Sequence, residues 1–311
     1  MRECLHITAH IDPRFGGLAT SVPALASAMN ATNNCRSSVI AFCDGDEAPP
    51  DNLGVPLETY PFGRLRWLTE RGLSRRLEQR IRGAGSIHIH GIWQEHCRLA
   101  ATLARKAEIP YVVSAHGMLE PWALRQKHWK KRLYALLSER QILNRAACLR
   151  ALTDAEAGHY RAFGLTSPTA VIPNGIEIPG TPDPAPFWNQ HPDLQGKRIA
   201  LFLGRLHRKK GVEILCHAWK HISASVPDTV LVFAGPDSDE TPGATADLVH
   251  RLGIAGSVYL AGMLRGEQKW AALAAASLFV LPSFSEGFSV AILEALCAVP
   301  QLPPVVSRRE F

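Results

Sequence analysis

Two carboxylates set eight positions apart, Glu286 and Glu294, lie in Ser283-Phe-Ser-Glu-Gly-Phe-Ser-Val-Ala-Ile-Leu-Glu-Ala-Leu296. The apolar run before them, Leu278-Phe-Val-Leu281, reads as a buried strand. A helix is expected to start at Gly287, with Ala291, Ile292, Leu293, Ala295 and Leu296 on its buried side. Such a helix aims its free N–H groups and positive dipole end at a ligand over the strand end, which suits a phosphate. Glu286 lies at that mouth. Glu294, two turns on, is within reach of a hydroxyl-rich ligand. Amides for a phosphate and two carboxylates for hydroxyls together describe a sugar nucleotide.

About eighty residues earlier stands a cationic loop, in Ile199-Ala-Leu-Phe-Leu-Gly-Arg-Leu-His-Arg-Lys-Lys-Gly211. A strand ends at Gly204, and Gly211 opens a helix through Val212, Leu215 and Trp219. Arg205 as a fork and Lys210 as a point charge are placed to clamp a diphosphate. Here the chain resembles the retaining glycosyltransferases of family 4. That family carries G-R-L-x-x-x-K-G ahead of a glutamate pair separated by seven residues, and both elements are intact. The resemblance implies the two-domain α/β GT-B architecture, with two Rossmann-like parallel sheets facing across a cleft. It implies that Arg205 and Lys210 neutralise the departing diphosphate. Glu286, with the amides of Gly287, Phe288 and Ser289, would hold donor sugar hydroxyls, and Glu294 the ribose.

The elements expected to position these groups alternate from end to end, as stacked βαβ units do. Strands are expected near 3–8, 37–42, 86–90, 110–115, 148–152 and 169–173, and then near 198–203, 229–234, 257–260 and 277–281. Helices are expected near 18–29, 69–82, 95–107, 122–146 and 153–163. Between the halves, Pro179, Pro182, Pro184, Pro186 and Pro192 crowd a polar stretch that reads as a linker. The expected domains are residues 1–178, on the acceptor side, and residues 190–311, binding the nucleotide-sugar.

Composition narrows the class. With 311 residues and 46% hydrophobic content, the chain can bury two ordinary cores. Its seven cysteines are scattered, with no Cys-x-x-Cys, so neither a disulfide framework nor a zinc site is indicated and a reducing cytoplasm is expected. The N-terminus lacks the apolar region of a signal peptide, and no stretch has the length of a membrane span. The net charge of +6 is uneven: residues 125–150 hold eight Lys/Arg and one acid, and residues 64–82 hold seven Arg and two acids. Such patches attract phosphates, acidic glycans or an anionic membrane surface, so peripheral contact with the inner face of a membrane is one expectation. No nucleic acid partner is expected.

Several further residues stand at expected strand ends. Gly16 and Gly17 follow the first strand, where a double glycine presents N–H groups to a ligand or simply makes a turn. The resemblance places this loop against the donor phosphate or the acceptor. His116, in Val112-Val-Ser-Ala-His-Gly-Met118, sits where α/β clefts place functional groups, or is a loop histidine bonded to backbone. In the resembling enzymes a histidine there contacts the donor sugar near the reacting carbon, which makes His116 the catalytic-side residue of the first domain. His88 and His90 share one strand face, a spacing that could ligate metal, but no third ligand is evident in the sequence. His90 and Trp93 are read instead as acceptor-side wall.

Trp122 and Trp129 beside Lys127, Lys130, Lys131 and Arg132 read as an acceptor or membrane-surface feature, or as a solvated basic helix face. Asn174 and Gly175 suit a turn with positive φ. Ser257-Val-Tyr-Leu-Ala-Gly-Met263 resembles the family's strand and loop over the nucleotide base. Without an Asp-x-Asp element no metal is expected, and no cofactor.

The resulting expectation is a retaining hexosyltransferase acting from a nucleotide-sugar on a glycan or lipid-linked acceptor, in surface polysaccharide synthesis. After Glu294 the chain reads Glu294-Ala-Leu-Cys-Ala-Val-Pro300, one residue shorter than the family's pattern and without its glycine. That departure reads as a truncation or frameshift. Two rivals therefore stand: a truncated, weakly active or inactive nucleotide-binding relative, and a sugar-nucleotide epimerase or phosphorylase of the same architecture.

Overall fold

The structure, a computed structural model, describes residues 3–12, 17–43, 53–61, 71–126, 138–237 and 243–298. Two dense units divide the chain, Met1–Gly175 and Ile176–Phe311.

In the first unit seven strands form one parallel sheet: β1 (Glu3–Ala9), β2 (Arg36–Cys43), β3 (Leu57–Pro61), β4 (Ser86–His90), β5 (Tyr111–Ser114), β6 (Cys148–Ala151) and β7 (Thr169–Val171). Their order is β3-β2-β1-β4-β5-β6-β7. The order reverses between β1 and β4, and the carboxyl ends of strands at such a reversal are where open parallel sheets bind ligands. β4 alternates strictly: Ile87 and Ile89 enter the main core, while His88 and His90 face the other way. Helices α1 (Leu18–Ala31), α2 (Arg71–Gly83), α3 (Glu95–Lys106), α4 (Pro121–Arg125), α5 (Arg140–Leu143) and α6 (Asp154–Ala162) connect the strands. α6 begins with a side-chain cap: Thr153 Oγ1 accepts from Glu156 N–H at 3.1 Å.

The second unit repeats the scheme with β8 (Arg198–Leu203), β9 (Thr229–Ala234), β10 (Val258–Gly262) and β11 (Leu278–Phe279). Their order is β10-β9-β8-β11, all parallel, and its reversal falls between β8 and β11. Helices α7 (Ala185–Gln190), α8 (Val212–Ile222), α9 (Ala244–Leu252), α10 (Gly266–Ala275) and α11 (Val290–Ala298) flank it. Phe202, Phe233 and Phe279 are fully buried at its centre. β8, β9 and β10 are followed by or end in Gly204, Gly235 and Gly262, all at positive φ. At Gly235 a Cβ would lie 2.0 Å from the Gly204 carbonyl oxygen, so the two strand ends approach only because no side chain intervenes.

Several expectations need correction. β3 was not foreseen; it is an edge strand with a half-exposed Leu-Glu-Thr-Tyr-Pro pattern and little apolar signal. The single helix expected over 122–146 is described only at its ends, as α4 and α5. Lys127, Trp129, Lys130, Lys131 and Arg132 lie outside the described residues, as do Gly16 and the tail from Val299 onward. The proline-rich stretch is not structureless, because α7 forms within it and drives Phe187 into the second core. Prolines at its first turn cost no helical hydrogen bond. Neither Asn174 nor Gly175 takes a positive φ; Asn174 Oδ1 instead accepts from the Arg150 guanidinium at 3.0 Å. None of the seven cysteines is in a disulfide. Among the described residues no helix is long and apolar enough to cross a membrane.

Candidate functional site

In the second unit the reversal between β8 and β11 brings the two sequence clusters together. Lys210 ends the loop after β8 and Glu286 the loop after β11, and Lys210 Nζ donates to Glu286 Oε1 at 2.6 Å. Ser283 Oγ donates to the same oxygen at 2.5 Å. Backbone holds the loops together as well: Phe284 N–H donates to the Lys209 carbonyl at 2.9 Å. Gly211 closes the junction at φ +75°, where a Cβ would meet the Pro282 carbonyl oxygen at 2.0 Å. The glycine is thus demanded twice, by the left-handed backbone and by the contact. Arg205, in the same loop after β8, is exposed and has no ion-pair partner among the described residues.

The helix after Glu286 begins later than expected. α11 starts at Val290, and its first bond runs from Leu293 N–H to the Ser289 carbonyl at 3.3 Å. Gly287 and Phe288 therefore belong to the loop, with Ser289 at the cap position, where serine is favoured. The expected buried side also shifts. Ala295 is fully buried, Ala291 and Ile292 pack against the core, but Leu296 is 56% exposed. Glu294 is buried and accepts from Lys269 Nζ of α10 at 2.6 Å. The sequence reading missed Lys269, 25 residues away, because only the packing of α10 on α11 brings it near.

In the first unit three histidines, on β1, at the end of β4 and just beyond β5, form a hydrogen-bonded chain. His6 Nδ1 lies 3.0 Å from His90 Nε2, and His90 Nδ1 lies 3.1 Å from His116 Nε2. His88 Nε2 bonds Ser114 Oγ at 2.9 Å. His6, His88 and His90 are buried and His116 is partly exposed. Burial, and then the Arg150 charge, holds His6 down to about 4 and His116 down to about 3. His88 and His90 are held well below the usual imidazole range by burial and neighbouring histidines. The chain is therefore neutral near pH 7.

His116 and Trp93 adopt left-handed backbone at φ +53° and +69°, conformations that non-glycine residues hold only where surroundings impose them. Glu156, fully interior, grips the first of these corners by accepting from Gly117 N–H and Leu152 N–H, each at 2.7 Å. Glu139 accepts from Trp93 N–H at 3.3 Å, and burial pushes its carboxyl up to about 7. The Trp93 indole donates to the Met118 carbonyl at 3.3 Å and packs edge-on to Phe163.

The placement changes the reading of His90. It was expected to line an acceptor wall, yet it is 1% exposed with both ring nitrogens bonded to histidines, so its influence runs through His116. The third ligand that the sequence did not show for His88 and His90 also exists. β1 pairs with β4 so that His6 stands opposite His88, and ligand atoms of His6, His88 and His90 lie within 4.8 Å of one another. His6 and His90 direct their facing nitrogens at each other, and Arg150 adds positive charge nearby, which makes this cluster a poor cage for a dication. Gly17 precedes α1 at φ −58°, with open space around its Cα, so nothing in its backbone requires glycine.

Comparison with known proteins matches residues 16–175 to the glycosyl transferase 4-like domain and residues 187–310 to glycosyl transferases group 1. A GDP-mannose:cellobiosyl-diphosphopolyprenol alpha-mannosyltransferase of Xanthomonas oryzae is 25% identical over 315 residues, covering 98% of this chain and 80% of that enzyme. A D-inositol 3-phosphate glycosyltransferase of Segniliparus rotundus is 26% identical over 202 residues, 62% of this chain. The match spans 45% of that relative's own length, less than half of it. Among solved structures, Anabaena HepE in complex with UDP-glucose superposes with a TM-score of 0.78 at 20% identity, over 99% of this chain and 80% of HepE. Sucrose-phosphate synthase of Thermosynechococcus elongatus superposes with a TM-score of 0.74 at 19% identity, over 99% and 81%. These likenesses establish the fold as GT-B.

Proposed function

This chain belongs to the group 1 glycosyltransferases, and from that premise we propose that it is a retaining hexosyltransferase. It moves a hexosyl unit from a nucleotide-sugar to a glycan or lipid-linked acceptor in surface polysaccharide synthesis. The observation that carries this reading is the Lys210–Glu286 pair, assembled from residues 76 apart at the β8/β11 reversal. That is where open parallel sheets bind ligands. The mannosyltransferase relative, whose name gives a nucleotide-sugar donor and a lipid diphosphate acceptor, supports the substrate classes.

In this reading a donor diphosphate competes with Glu286 for Lys210, and exposed Arg205 adds a second cation. Both act on the charge that develops on the leaving group, the main electrostatic contribution to such a reaction. Glu286, held by Ser283, and the amides of Gly287, Phe288 and Ser289 receive the sugar hydroxyls. Glu294, poised on Lys269, receives the ribose. By the resemblance, His116 is assigned to the donor sugar, Gly16 and Gly17 to the donor phosphate or the acceptor, and Trp93 to the acceptor. The bond from the anomeric carbon to phosphate breaks on the face where the acceptor oxygen attaches. The acceptor's proton passes to the departing diphosphate, so no side-chain base is required.

The test is nucleotide release from a panel of nucleotide-sugars, with and without a polyprenyl-diphosphate-linked saccharide, followed by assignment of the product's anomeric configuration. Release only with acceptor and an unchanged anomer supports the proposal; an inverted anomer, or no release from any donor, overturns it. Lys210→Ala is expected to weaken nucleoside-diphosphate binding by about 1.5–3 kcal/mol, the scale of a charge-assisted contact. Calorimetry showing unchanged affinity in a folded variant would remove Lys210 from the site. Glu286→Gln is expected to depress transfer far more than affinity for the bare nucleotide, because its ligand partner is the sugar. Parallel losses in both quantities would show that Glu286 serves the nucleotide instead.

A further inference from the structure

We infer that His90 is a positioning residue: a hydrogen-bonded chain from His6 through His90 orients the His116 ring and fixes its proton on Nδ1. The inference rests on the reading above for why that ring matters, namely the assignment of His116 to the donor sugar.

The geometry is of a kind that transmits orientation. β1, β4 and β5 are neighbours in the sheet; His6 lies in β1, His90 ends β4, and His116 stands two residues beyond the end of β5. Ring centroids are 5.3 Å apart for both His6–His90 and His90–His116, with planes inclined by 17° and 27°. For nitrogen separations of 3.0 and 3.1 Å this is close to the greatest centroid distance attainable. The rings therefore meet edge to edge, along their N–H bonds and lone pairs, rather than face to face.

Two neutral imidazoles bond only when one offers N–H and the other a lone pair. A chain of three then has two self-consistent proton arrangements. In one, His116 Nε2–H donates to His90 Nδ1 and His90 Nε2–H donates to His6 Nδ1, which leaves His6 with a proton on Nε2. In the other, His6 Nδ1–H donates to His90 Nε2, His90 Nδ1–H donates to His116 Nε2, and His116 carries its own proton on Nδ1. His6 Nε2 decides between them, being buried with no hydrogen-bond partner among the described residues. A buried N–H without an acceptor is rarer and costlier than a bare lone pair. The second arrangement follows.

The other side of His116 is fixed independently. Its backbone is held at φ +53°, and the next amide, Gly117 N–H, is bonded to Glu156. With backbone set by Glu156 and Nε2 set by His90, the remaining nitrogen is presented as a donor, suited to an oxygen of a sugar or phosphate.

The test uses the full chain with 15N-labelled histidine and long-range 1H–15N correlation, which distinguishes the two tautomers of each ring. His6, His90 and His116 are expected to carry protons on Nδ1. A wild-type spectrum with the proton on His116 Nε2 overturns the assignment without needing any variant. In His90→Phe the donor to His116 is gone, and the His116 proton is expected to redistribute between its nitrogens. His90→Asn, whose amide N–H₂ can occupy the place of Nδ1–H, is expected to restore the wild-type pattern. A His116 signal unchanged in His90→Phe overturns the positioning role. Turnover is expected to fall about 10–100-fold in His90→Phe, the scale for losing a partner that orients a functional imidazole, with nucleotide affinity unchanged. His116→Ala separates the two levels: full transfer by that variant would defeat the proposed role of His116, while the wild-type spectrum still judges the hydrogen-bonded chain.

Discussion

Gly211→Ala is expected to destabilise the second unit by about 2–4 kcal/mol, the range of a backbone outlier compounded by a steric conflict. It should abolish measurable nucleotide binding as well. Alanine at φ +75° is strained in itself, and its Cβ would sit 2.0 Å from the Pro282 carbonyl oxygen, far inside contact distance. Relief requires the 280–286 segment to move. That segment carries Ser283 and Glu286, and the Phe284 amide bonded to Lys209 would move with it. Gly196→Ala is the matched control, because Gly196 is also left-handed, at φ +81°, with open space around it. It should cost only the backbone strain, about 1–2 kcal/mol, and leave binding intact. Denaturation of both variants beside calorimetric nucleotide titration gives the comparison. Equal stability and equal affinity for the two would show that the Gly211–Pro282 approach does not hold the site.

The second large effect is acid sensitivity of the first unit. His6, His88, His90, His96 and His116 all have folded-state pKa values below 6.5, chiefly through burial, with His96 held down to about 3. The unfolded chain binds protons on these residues from about pH 6.5 downward, whereas the folded unit does not. Their contribution is therefore intact above pH 6.5 and is lost as pH falls toward the folded values, which are about 4 for His6 and about 3 for His96 and His116. Each such group removes about 1.4 kcal/mol per pH unit in that window. Glu139 has the opposite sign. Its folded pKa, raised to about 7, returns stability as pH falls toward 4.5, and so offsets one histidine of the five. Net of Glu139, the five histidines remove about 8 kcal/mol between pH 6.5 and pH 5, so a unit in the lower half of the usual range of about 5–15 kcal/mol should unfold above pH 5. Hydrogen exchange along a pH series, corrected for intrinsic rates, should show β1, β4 and β5 losing protection before β8 and β9. Equal protection of β4 at pH 7.5 and pH 5 would defeat the prediction.

Much of this architecture was legible in the chain. Where a strand is apolar on both faces, as in Ile199-Ala-Leu-Phe-Leu203, its period and bounds follow from local residues. Arg205, Lys210 and Glu286 were legible for a related reason: each follows a recognisable strand, and in a parallel sheet every such loop emerges at the same edge. β3 escaped notice because an edge strand needs only one apolar face. α11 began three residues late because Ser289 is a better cap than Gly287, and the shift leaves Leu296 in solvent.

Sequence by itself determined the alternation of strand and helix, the cationic loop and the glutamate pair, because these depend on residues close together in the chain. Only the tertiary structure decided the partners: His6 for His90, Lys269 for Glu294, Glu156 for the corner at His116, Pro282 for Gly211. Those contacts join residues far apart in the chain, and strand order and helix packing fix which distant residues meet. A histidine on β1 becomes the neighbour of one on β4 only because the sheet reverses its order between them.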